Sequence, residues 1–243
     1  LIGMGAECFG LGLAPNTDPA LFNQLDLEKR LHHVNLDIRD CSALKKVVLD
    51  VQPDIVFHLA AQALVRNSYL NPLETFSINA LGSANLLDSL RSLDKDVVAI
   101  MITSDKAYEN VEWTWGYRET DRLGGKDPYS ASKGMAELAI RSYFESFFNS
   151  KDTKVIVGIA RAGNVIGGGD WAFGRIVPDC VRAWSKGQAV NIRNPESTRP
   201  WQHVLEPLRG YLTLALMLQN KPEIHGEPYN FGPFGNQTFT VDR

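Results

Sequence analysis

The sequence predicts an α/β fold, a doubly wound parallel sheet covered by helices and followed by a smaller C-terminal lobe. Apolar segments of strand length recur at residues 6–13, 34–38, 54–60, 97–103 and 155–160. Helical spacing of apolar residues marks the segments 41–51, 72–93, 128–148 and 173–186. Strands that alternate with helices in this way are typical of a parallel sheet. Beyond residue 163 the pattern loosens around three consecutive glycines and the pairs Asn194-Pro195 and Arg199-Pro200, which indicates loops between shorter elements.

Individual segments support this assignment. Ile55, Val56 and Phe57 form a continuous apolar run, as expected for a strand buried on both faces. Asp40 stands where an N-cap is expected for the helix that begins near Cys41. We therefore predict two parts, a sheet domain at residues 1–163 and a lobe at residues 164–243.

The beginning of the chain departs from the usual order of a Rossmann-like sheet. Such a sheet opens with a strand and a glycine-rich turn whose amides hold a pyrophosphate at a helix N-terminus. Residues 3–7 resemble the end of that first helix instead, and Gly10 and Gly12 lie within a strand. We expect that the first strand, turn and helix are missing, so no phosphate-binding turn is assigned.

Composition excludes several classes of protein. The 243 residues carry a net charge of −3 without runs of like charge, which gives no basis for binding nucleic acid or an anionic membrane. No apolar stretch approaches the roughly 20 residues that span a bilayer, and we expect a cytoplasmic protein. Cys8, Cys41 and Cys180 are odd in number and widely spaced, so neither a disulfide framework nor a metal site is predicted.

Tyr129 and Lys133 are the strongest candidates for chemistry. They are four residues apart in a helical segment and so share one face, where an ammonium group favours the phenolate and lowers the phenol's pKa from about 10. The spacing is weak evidence alone, because a chain with seven Tyr has about a one-in-three chance of containing it. Ser104, Asp105 and Lys106 add context, since they follow a strand at the sheet edge where α/β folds bind ligands.

Five segments in order now carry a family resemblance, at residues 58–66, 103–110, 129–133, 161–171 and 199–204. Together they resemble extended short-chain dehydrogenases/reductases that act on nucleotide sugars, most of all the CDP-glucose 4,6-dehydratase branch. The resemblance covers essentially the whole chain, although the family's glycine-rich turn would precede Leu1 and its C-terminal stretch would continue beyond Arg243. It implies an NAD-binding domain at residues 1–163 and a substrate lobe at residues 164–243.

The resemblance implies a lyase in deoxysugar synthesis that converts CDP-glucose to CDP-4-keto-6-deoxyglucose. Tyr129, helped by Lys133 and Ser104, would take the O4 proton as hydride passes from C4 to NAD. Asp105 would protonate the leaving C6 hydroxyl and Lys106 would remove the C5 proton. Many relatives carry Glu at the latter position, and a Lys base must be largely neutral, which burial or a neighbouring cation could arrange.

The same resemblance implies binding residues. Cofactor contacts fall on Asp37, Ile38, Leu59, Ala60, Ala61, Asn79, Tyr129 and Lys133. Substrate contacts fall on Gln62, Asn164, Arg175, Arg193 and Arg199, where guanidinium groups would match a diphosphate. NAD rather than NADP comes from the family, because no ribose-binding carboxylate is evident near Asn16. A homodimer through the helices at residues 72–93 and 128–148 is also implied, and no histidine is given a catalytic role.

Two alternatives remain open at the sequence level. A nucleotide-sugar epimerase or reductase needs the Ser, Tyr and Lys but no acid and base after the Ser, so Asp105 and Lys106 distinguish the dehydratase. A non-catalytic NAD-binding subunit would fit a chain without the opening turn.

Overall fold

Parallel strands form the centre of the fold in the computed structural model of the chain, which describes residues 1–237 and 239–242. The strands are β1 (Phe9–Gly12), β2 (His32–Asn35), β3 (Ile55–His58), β4 (Val97–Ile102), β5 (Val155–Ala162), β6 (Val165–Ile166), β7 (Thr198–Arg199), β8 (Gln202–His203), β9 (Pro228–Phe231) and β10 (Phe239–Thr240). The main sheet has the order β3-β4-β5-β9, with every pair parallel. β1 and β2 form a separate parallel pair. The predicted α/β class is confirmed.

Helices connect the strands and cover the main sheet. They are α1 (Leu21–Gln24), α2 (Leu27–Arg30), α3 (Cys41–Val51), α4 (Val65–Leu70), α5 (Pro72–Phe76), α6 (Gly82–Leu90), α7 (Pro128–Tyr143), α8 (Ile176–Trp184) and α9 (Leu205–Asn220). A π-helical turn, Ser77–Leu81, joins α5 to α6, and a second one, Phe144–Phe148, extends α7. The two long helices of the sequence prediction are therefore continuous but locally underwound.

Two caps explain where the main helices begin. Asp40 Oδ1 accepts a hydrogen bond from Ala43 N at 3.0 Å, which confirms the predicted N-cap of α3. Asp127 caps α7 in the same way, accepting from Ser130 N at 3.0 Å, and Pro128 occupies the first helical position. The cap that fixes the start of α7 thus lies two residues before Tyr129.

The burial of β4 on both faces explains why its sequence is apolar at every position. Val97, Ala99 and Met101 face one hydrophobic cluster with α3, α6 and α7, whereas Val98 and Ile100 face a second cluster with α9. A strand buried on both faces loses the polar alternation of a half-exposed strand. The core therefore lies on both sides of this strand.

The C-terminal part of the chain contributes to the main sheet as well as to smaller elements. α9 packs on β4 and β5, and β9 pairs with β5, although the sequence patterns revealed neither element. The short pairs β6-β8 and β7-β10 lie outside the main sheet. The predicted lobe at residues 164–243 therefore includes two elements that join the main sheet, α9 and β9, and the division at residue 163 stays a prediction. None of the helices among the described residues is long and apolar enough to cross a membrane.

The packing of α9 on the sheet is testable with two leucines of the same helix. Leu214 is 5% exposed in the second cluster, whereas Leu216 is 60% exposed. Leu214→Ala is expected to lower the free energy of unfolding by about 2–5 kcal/mol, because it leaves a cavity against the sheet. Leu216→Ala, the control, should change it by less than about 0.5 kcal/mol in urea unfolding. Equal losses in the two variants would contradict the packing.

Candidate active site

A short turn directly after β4 carries three of the candidate residues. Ser104 Oγ accepts from Lys106 N at 3.2 Å and donates to Asp105 Oδ1 at 2.9 Å, so the hydroxyl caps the 3-10 turn Asp105–Ala107. Ser104 is buried, and Asp105 and Lys106 are half-buried. A Cβ on Gly163 would lie 3.1 Å from Pro200 and 3.5 Å from Asp105 Oδ2. A side chain at this position would therefore crowd Pro200 by a few tenths of an ångström, whereas its contact with Asp105 would be an ordinary one.

Helix α7 packs against this turn and supplies Tyr129 and Lys133 from its first two turns. Both side chains are almost fully buried, with 8% and 7% of their surface exposed. The structure thus brings together the five residues predicted from sequence to be catalytic, on two elements that meet at the C-terminal edge of the sheet.

Burial dominates the protonation of the two α7 residues. It raises the pKa of Tyr129, while the Ser104 hydroxyl and the positive charge of Arg175 act in the opposite direction. Burial lowers the pKa of Lys133 to about 8, partly offset by the Glu137 carboxylate. The expectation that Lys133 lowers the pKa of Tyr129 is not met, because desolvation disfavours both charged forms. Lys133 therefore changes charge just above neutral pH.

Asn79 connects the loop after β3 to α7. Its Oδ1 accepts from Gln62 N at 2.8 Å, and its Nδ2 donates to Gln62 O at 3.0 Å and to Ser132 Oγ at 2.8 Å. Ser132 Oγ in turn donates to Tyr129 O at 2.7 Å. This buried amide uses both of its ends, and it fixes the backbone beside the two α7 residues.

His58, at the end of β3, is a buried titratable group that the sequence patterns did not single out. Its Nε2 lies 2.9 Å from Ser83 Oγ. Because that hydroxyl donates to Asn79 O at 2.8 Å, Nε2 must be the donor in the His58–Ser83 bond. Burial, reinforced by the charge of Lys133, lowers the pKa of His58 to about 4. The imidazole is therefore neutral at physiological pH.

The Gln62 side chain has a local role in the structure. Its Oε1 accepts from Leu64 N at 2.6 Å, and its Nε2 donates to Leu64 O at 3.1 Å and to Thr75 Oγ1 at 3.0 Å. Both amide protons are engaged, so the side chain shapes the loop that begins α4. Its contact with substrate stays a prediction.

The predicted adenine contacts lie after β2. Arg39 binds the Asp37 carboxylate through Nε and Nη2, the latter at 2.5 Å, and holds the pKa of Asp37 below its usual value. Ile38 is buried against Gly82, where a Cβ would lie 2.4 Å from Ile38 Cδ1. Ile38 therefore joins α6 to this loop, in addition to any contact with a ligand.

Three predicted cofactor contacts, Leu59, Ala60 and Ala61, directly follow β3. Leu59 is exposed, and the two alanines are half-buried. The sheet edge at this point thus offers an exposed apolar side chain beside two small, half-buried residues.

The three predicted substrate arginines lie on different parts of the segment after β6. Arg175, at the N-terminus of α8, lies 3.3 Å from Asp170 and is near enough to Tyr129 to influence its pKa. Arg199 in β7 is half-buried and donates to Thr198 O at 2.7 Å. Arg193 lies exposed between α8 and β7. Arg175 is thus linked to Tyr129 by the effect of its charge, and the roles of Arg193 and Arg199 in binding substrate stay predictions.

Asn164 lies at the end of the main sheet, half-buried between β5 and β6. Its backbone carbonyl accepts from Gln202 N at 3.0 Å, which helps to align β6 with β8. This bond concerns the main chain, so a role of its side chain in binding substrate stays a prediction.

Comparison with known proteins identifies the family. Residues 15–241 match the GDP-mannose 4,6 dehydratase family, which is nearly the whole chain. The chain belongs to this family. It is also 46% identical over 245 residues to the CDP-glucose 4,6-dehydratase of Salmonella typhimurium, covering 100% of this chain and 68% of that protein. A UDP-glucose 4-epimerase of Mycoplasma genitalium is 25% identical, over 95% of this chain and 74% of its own.

Two solved structures of other proteins share the fold of this chain. A dTDP-glucose 4,6-dehydratase from Streptomyces venezuelae, solved with NAD bound, superposes with a TM-score of 0.80 at 23% identity, over 97% of this chain and 68% of that one. A UDP-glucose 4-epimerase from Thermotoga maritima gives a TM-score of 0.82 at 23% identity, over 99% and 73%. At such identity the two structures support the fold alone.

The buried imidazole predicts a specific dependence of stability on pH. The folded pKa of His58 is about 4 against 6.5 for an ordinary histidine, so unfolding takes up a proton as the pH falls through this window. Above pH 6.5 the neutral imidazole makes its full contribution of about 3 kcal/mol to the free energy of unfolding. This contribution is lost as the pH falls towards 4. His58→Gln should lose less stability than the parent over this range in urea unfolding.

The control for this prediction is His203→Gln, which replaces an exposed histidine in β8. It should keep the pH dependence of the parent. A His58→Gln variant whose stability falls with pH as steeply as that of the parent would show that the imidazole is not held neutral in the folded state.

Proposed function

We propose that the protein is a lyase that converts CDP-glucose to CDP-4-keto-6-deoxyglucose by NAD-dependent intramolecular oxidation and reduction. The observation that carries the proposal is the position of the turn with Ser104, Asp105 and Lys106 against the α7 residues Tyr129 and Lys133. The 46% identity to a CDP-glucose 4,6-dehydratase supports the choice of substrate. A role in deoxysugar synthesis follows from the product.

The residues at the sheet edge fit a dinucleotide. Ala60 and Ala61 are small and half-buried, exposed Leu59 offers an apolar surface, and buried Asn79 holds the adjoining loop. Asp37 and Ile38 would lie on the adenine side, and Tyr129 and Lys133 on the nicotinamide side. When bound, NAD would supply a reversible two-electron acceptor beside the sugar.

Tyr129 would remove the O4 proton of the sugar. In the structure its raised pKa keeps the phenol protonated at rest, so groups that favour the phenolate decide its activity. Ser104 is the strongest of these, and the charge of Arg175 acts in the same direction. Lys133, one helical turn away, would add positive charge below its pKa of about 8.

Loss of water requires an acid and a base, which the turn supplies. Once C4 is a ketone, the C5 proton is acidic, and Lys106 would remove it while Asp105 gives a proton to the departing C6 hydroxyl. The hydroxyl and the two protons balance as water and a protonated lysine. The hydride taken from C4 would then return to C6 as Lys106 gives its proton back to C5, which leaves no net change in the cofactor. An epimerase or reductase would need Ser104 and the α7 pair but neither of these groups, so the turn favours the dehydratase.

Substrate recognition would come from the segment 164–204. Guanidinium groups bind diphosphates through paired hydrogen bonds, which suits Arg175, Arg193 and Arg199. Asn164 and Gln62 would contact the sugar near the sheet edge. We propose this segment as the substrate lobe.

An apolar face on the helices α4 to α7 supports a homodimer. Its exposed side chains include Leu70, Leu73, Leu81, Met135 and Leu138, of which Leu73 is 82% exposed and Leu138 59%. A monomer seldom leaves so many large apolar residues in water on neighbouring helices. We propose that a second copy covers this face.

The three cysteines are free thiols, which fits the proposed cytoplasmic location.

Lys106→Met separates dehydration from simple oxidation. The variant keeps length and packing but has no base, so oxidation at C4 should proceed while loss of water stalls. Reduced nicotinamide should then accumulate, measured by its absorbance after mixing the NAD-loaded enzyme with CDP-glucose. Tyr129→Phe, which removes the first base, should lower turnover by at least about 100-fold without such accumulation. Parental product formation by Lys106→Met would remove Lys106 from the mechanism.

The dimer is testable by placing a charge in its centre. Leu138→Asp should shift the protein from dimer to monomer in analytical ultracentrifugation, because a carboxylate would be buried without a partner. The control is Leu216→Asp, equally exposed on α9 and outside this face. A Leu138→Asp protein that sediments like the parent dimer would place the interface elsewhere.

A further inference from the structure

A buried ion pair joins β5 to helix α7 beneath the candidate site. Arg161, near the end of β5, donates from Nε to Glu137 Oε1 at 2.7 Å and from Nη2 to Glu137 Oε2 at 2.5 Å. The side chains are 4% and 2% exposed. Glu137 lies one helical turn after Lys133, whose pKa its carboxylate raises. The sequence alone suggested no role for either residue of the pair.

The same pair reaches the turn after β4. Thr103, immediately before Ser104, donates from Oγ1 to Glu137 Oε1 at 2.6 Å. Arg161 Nη1 donates to Tyr108 Oη at 2.7 Å, and Tyr108 directly follows the 3-10 turn Asp105–Ala107. Both ends of the segment with the proposed acid and base are thus tied to the ion pair.

A neighbouring strand completes the network. Tyr108 Oη donates to Asn230 Oδ1 at 2.7 Å, and Asn230 lies opposite Arg161 in the parallel register of β5 and β9. The Arg161 guanidinium also donates from Nη1 to Glu119 O at 2.9 Å and lies 4.7 Å from the centre of the Tyr108 ring. The hydroxyl of Tyr108 therefore has a donor and an acceptor in fixed positions.

We propose that Arg161, Glu137 and Tyr108 are positioning residues that hold the Asp105–Lys106 turn in a fixed place relative to Tyr129 and Lys133. This inference rests on the proposed dehydratase function, in which the two groups of residues act on adjacent carbons of one sugar ring. The network touches neither substrate nor cofactor in this scheme. It acts by fixing the distance between the oxidation site and the elimination site.

Physical considerations favour positioning over simple stabilisation. A buried ion pair adds little net stability, because the cost of desolvation offsets its Coulomb energy. Fully satisfied buried networks instead specify one geometry. A displacement of about 1 Å can slow a reaction roughly 100-fold, so a link between the two half-sites has a direct effect on rate. Elimination should depend on it more than oxidation, since Tyr129 and Lys133 are held by their own helix.

Tyr108→Phe tests the proposal by removing only the hydroxyl that links the ion pair to the turn. The matched control is Tyr117→Phe, because Tyr117 stacks on Tyr108 but its hydroxyl bonds to Asn110 and Val111. In the NAD-loaded enzyme, Tyr108→Phe should slow loss of water at least about 10-fold and oxidation at C4 less than about threefold, so that reduced nicotinamide accumulates. Tyr117→Phe should behave like the parent.

A second measurement is independent of activity. Amide hydrogen exchange in residues 103–108 should be faster in Tyr108→Phe than in the parent, with exchange in α9 unchanged. Asn230→Ala, which removes the other partner of the hydroxyl, should produce the same change. The proposal would be overturned if the ratio of the rates of oxidation and water loss were unchanged in Tyr108→Phe. It would also be overturned if both rates fell equally and hydrogen exchange in the turn were no faster. A parent enzyme that forms no product from CDP-glucose would instead contradict the proposed function, while the exchange data would still test the link.

Discussion

The parallel register of β3, β4 and β5 is the constraint on which the rest of the structure depends. His58 pairs with Met101, and Met101 with Ile159, so the three strands end at one edge of the sheet. The chain leaves β4 and β5 with Thr103 and Gly163, and it leaves β3 with Leu59 and two alanines, at the edge where open α/β sheets bind ligands. Helix α7 then needs only a fixed starting point to add Tyr129 and Lys133 to this edge. The Asp127 cap and Pro128 provide it.

Burial determines the electrostatics of that edge. Lys133 and His58 are withdrawn from water and have lowered pKa values, whereas Tyr129 has a raised pKa for the same reason. Such shifts are tolerated because the neighbouring polar groups are paired, as in the contacts of Asn79 with Gln62. A site of this kind responds strongly to small changes in position, since each hydrogen bond forms away from competing solvent.

Local patterns predicted the elements that lie next to the site better than the network that supports it. The Tyr129–Lys133 spacing and the strand before Ser104 were readable, because periodicity and strand ends are properties of short segments. Glu137 had a usable signal in its position four residues after Lys133. Arg161 had none, because its partners are distant in sequence and only tertiary packing brings them together.

The C-terminal part of the chain, with α9 and β9, was also not predictable from local sequence patterns. α9 packs on β4 and β5, and the strand beside β5 is β9, which is short and has no distinctive sequence pattern. Pairing of β9 with β5 is a long-range contact that no local propensity specifies. The pKa of Tyr129 also differed from expectation, because the extent of burial is a property of the whole fold.

The central claim is that oxidation at C4 and reduction at C6 occur on one sugar molecule. The most direct measurement is the fate of deuterium placed at C4 of CDP-glucose, located in the product by NMR and mass spectrometry. The proposed chemistry predicts deuterium at C6 of the 4-keto-6-deoxy product. In mixtures of substrate labelled with deuterium at C4 and with carbon-13 in the ring, the two labels should stay on separate molecules. Deuterium that remains at C4 of an unchanged or epimerised hexose, or that crosses between molecules, would contradict the account.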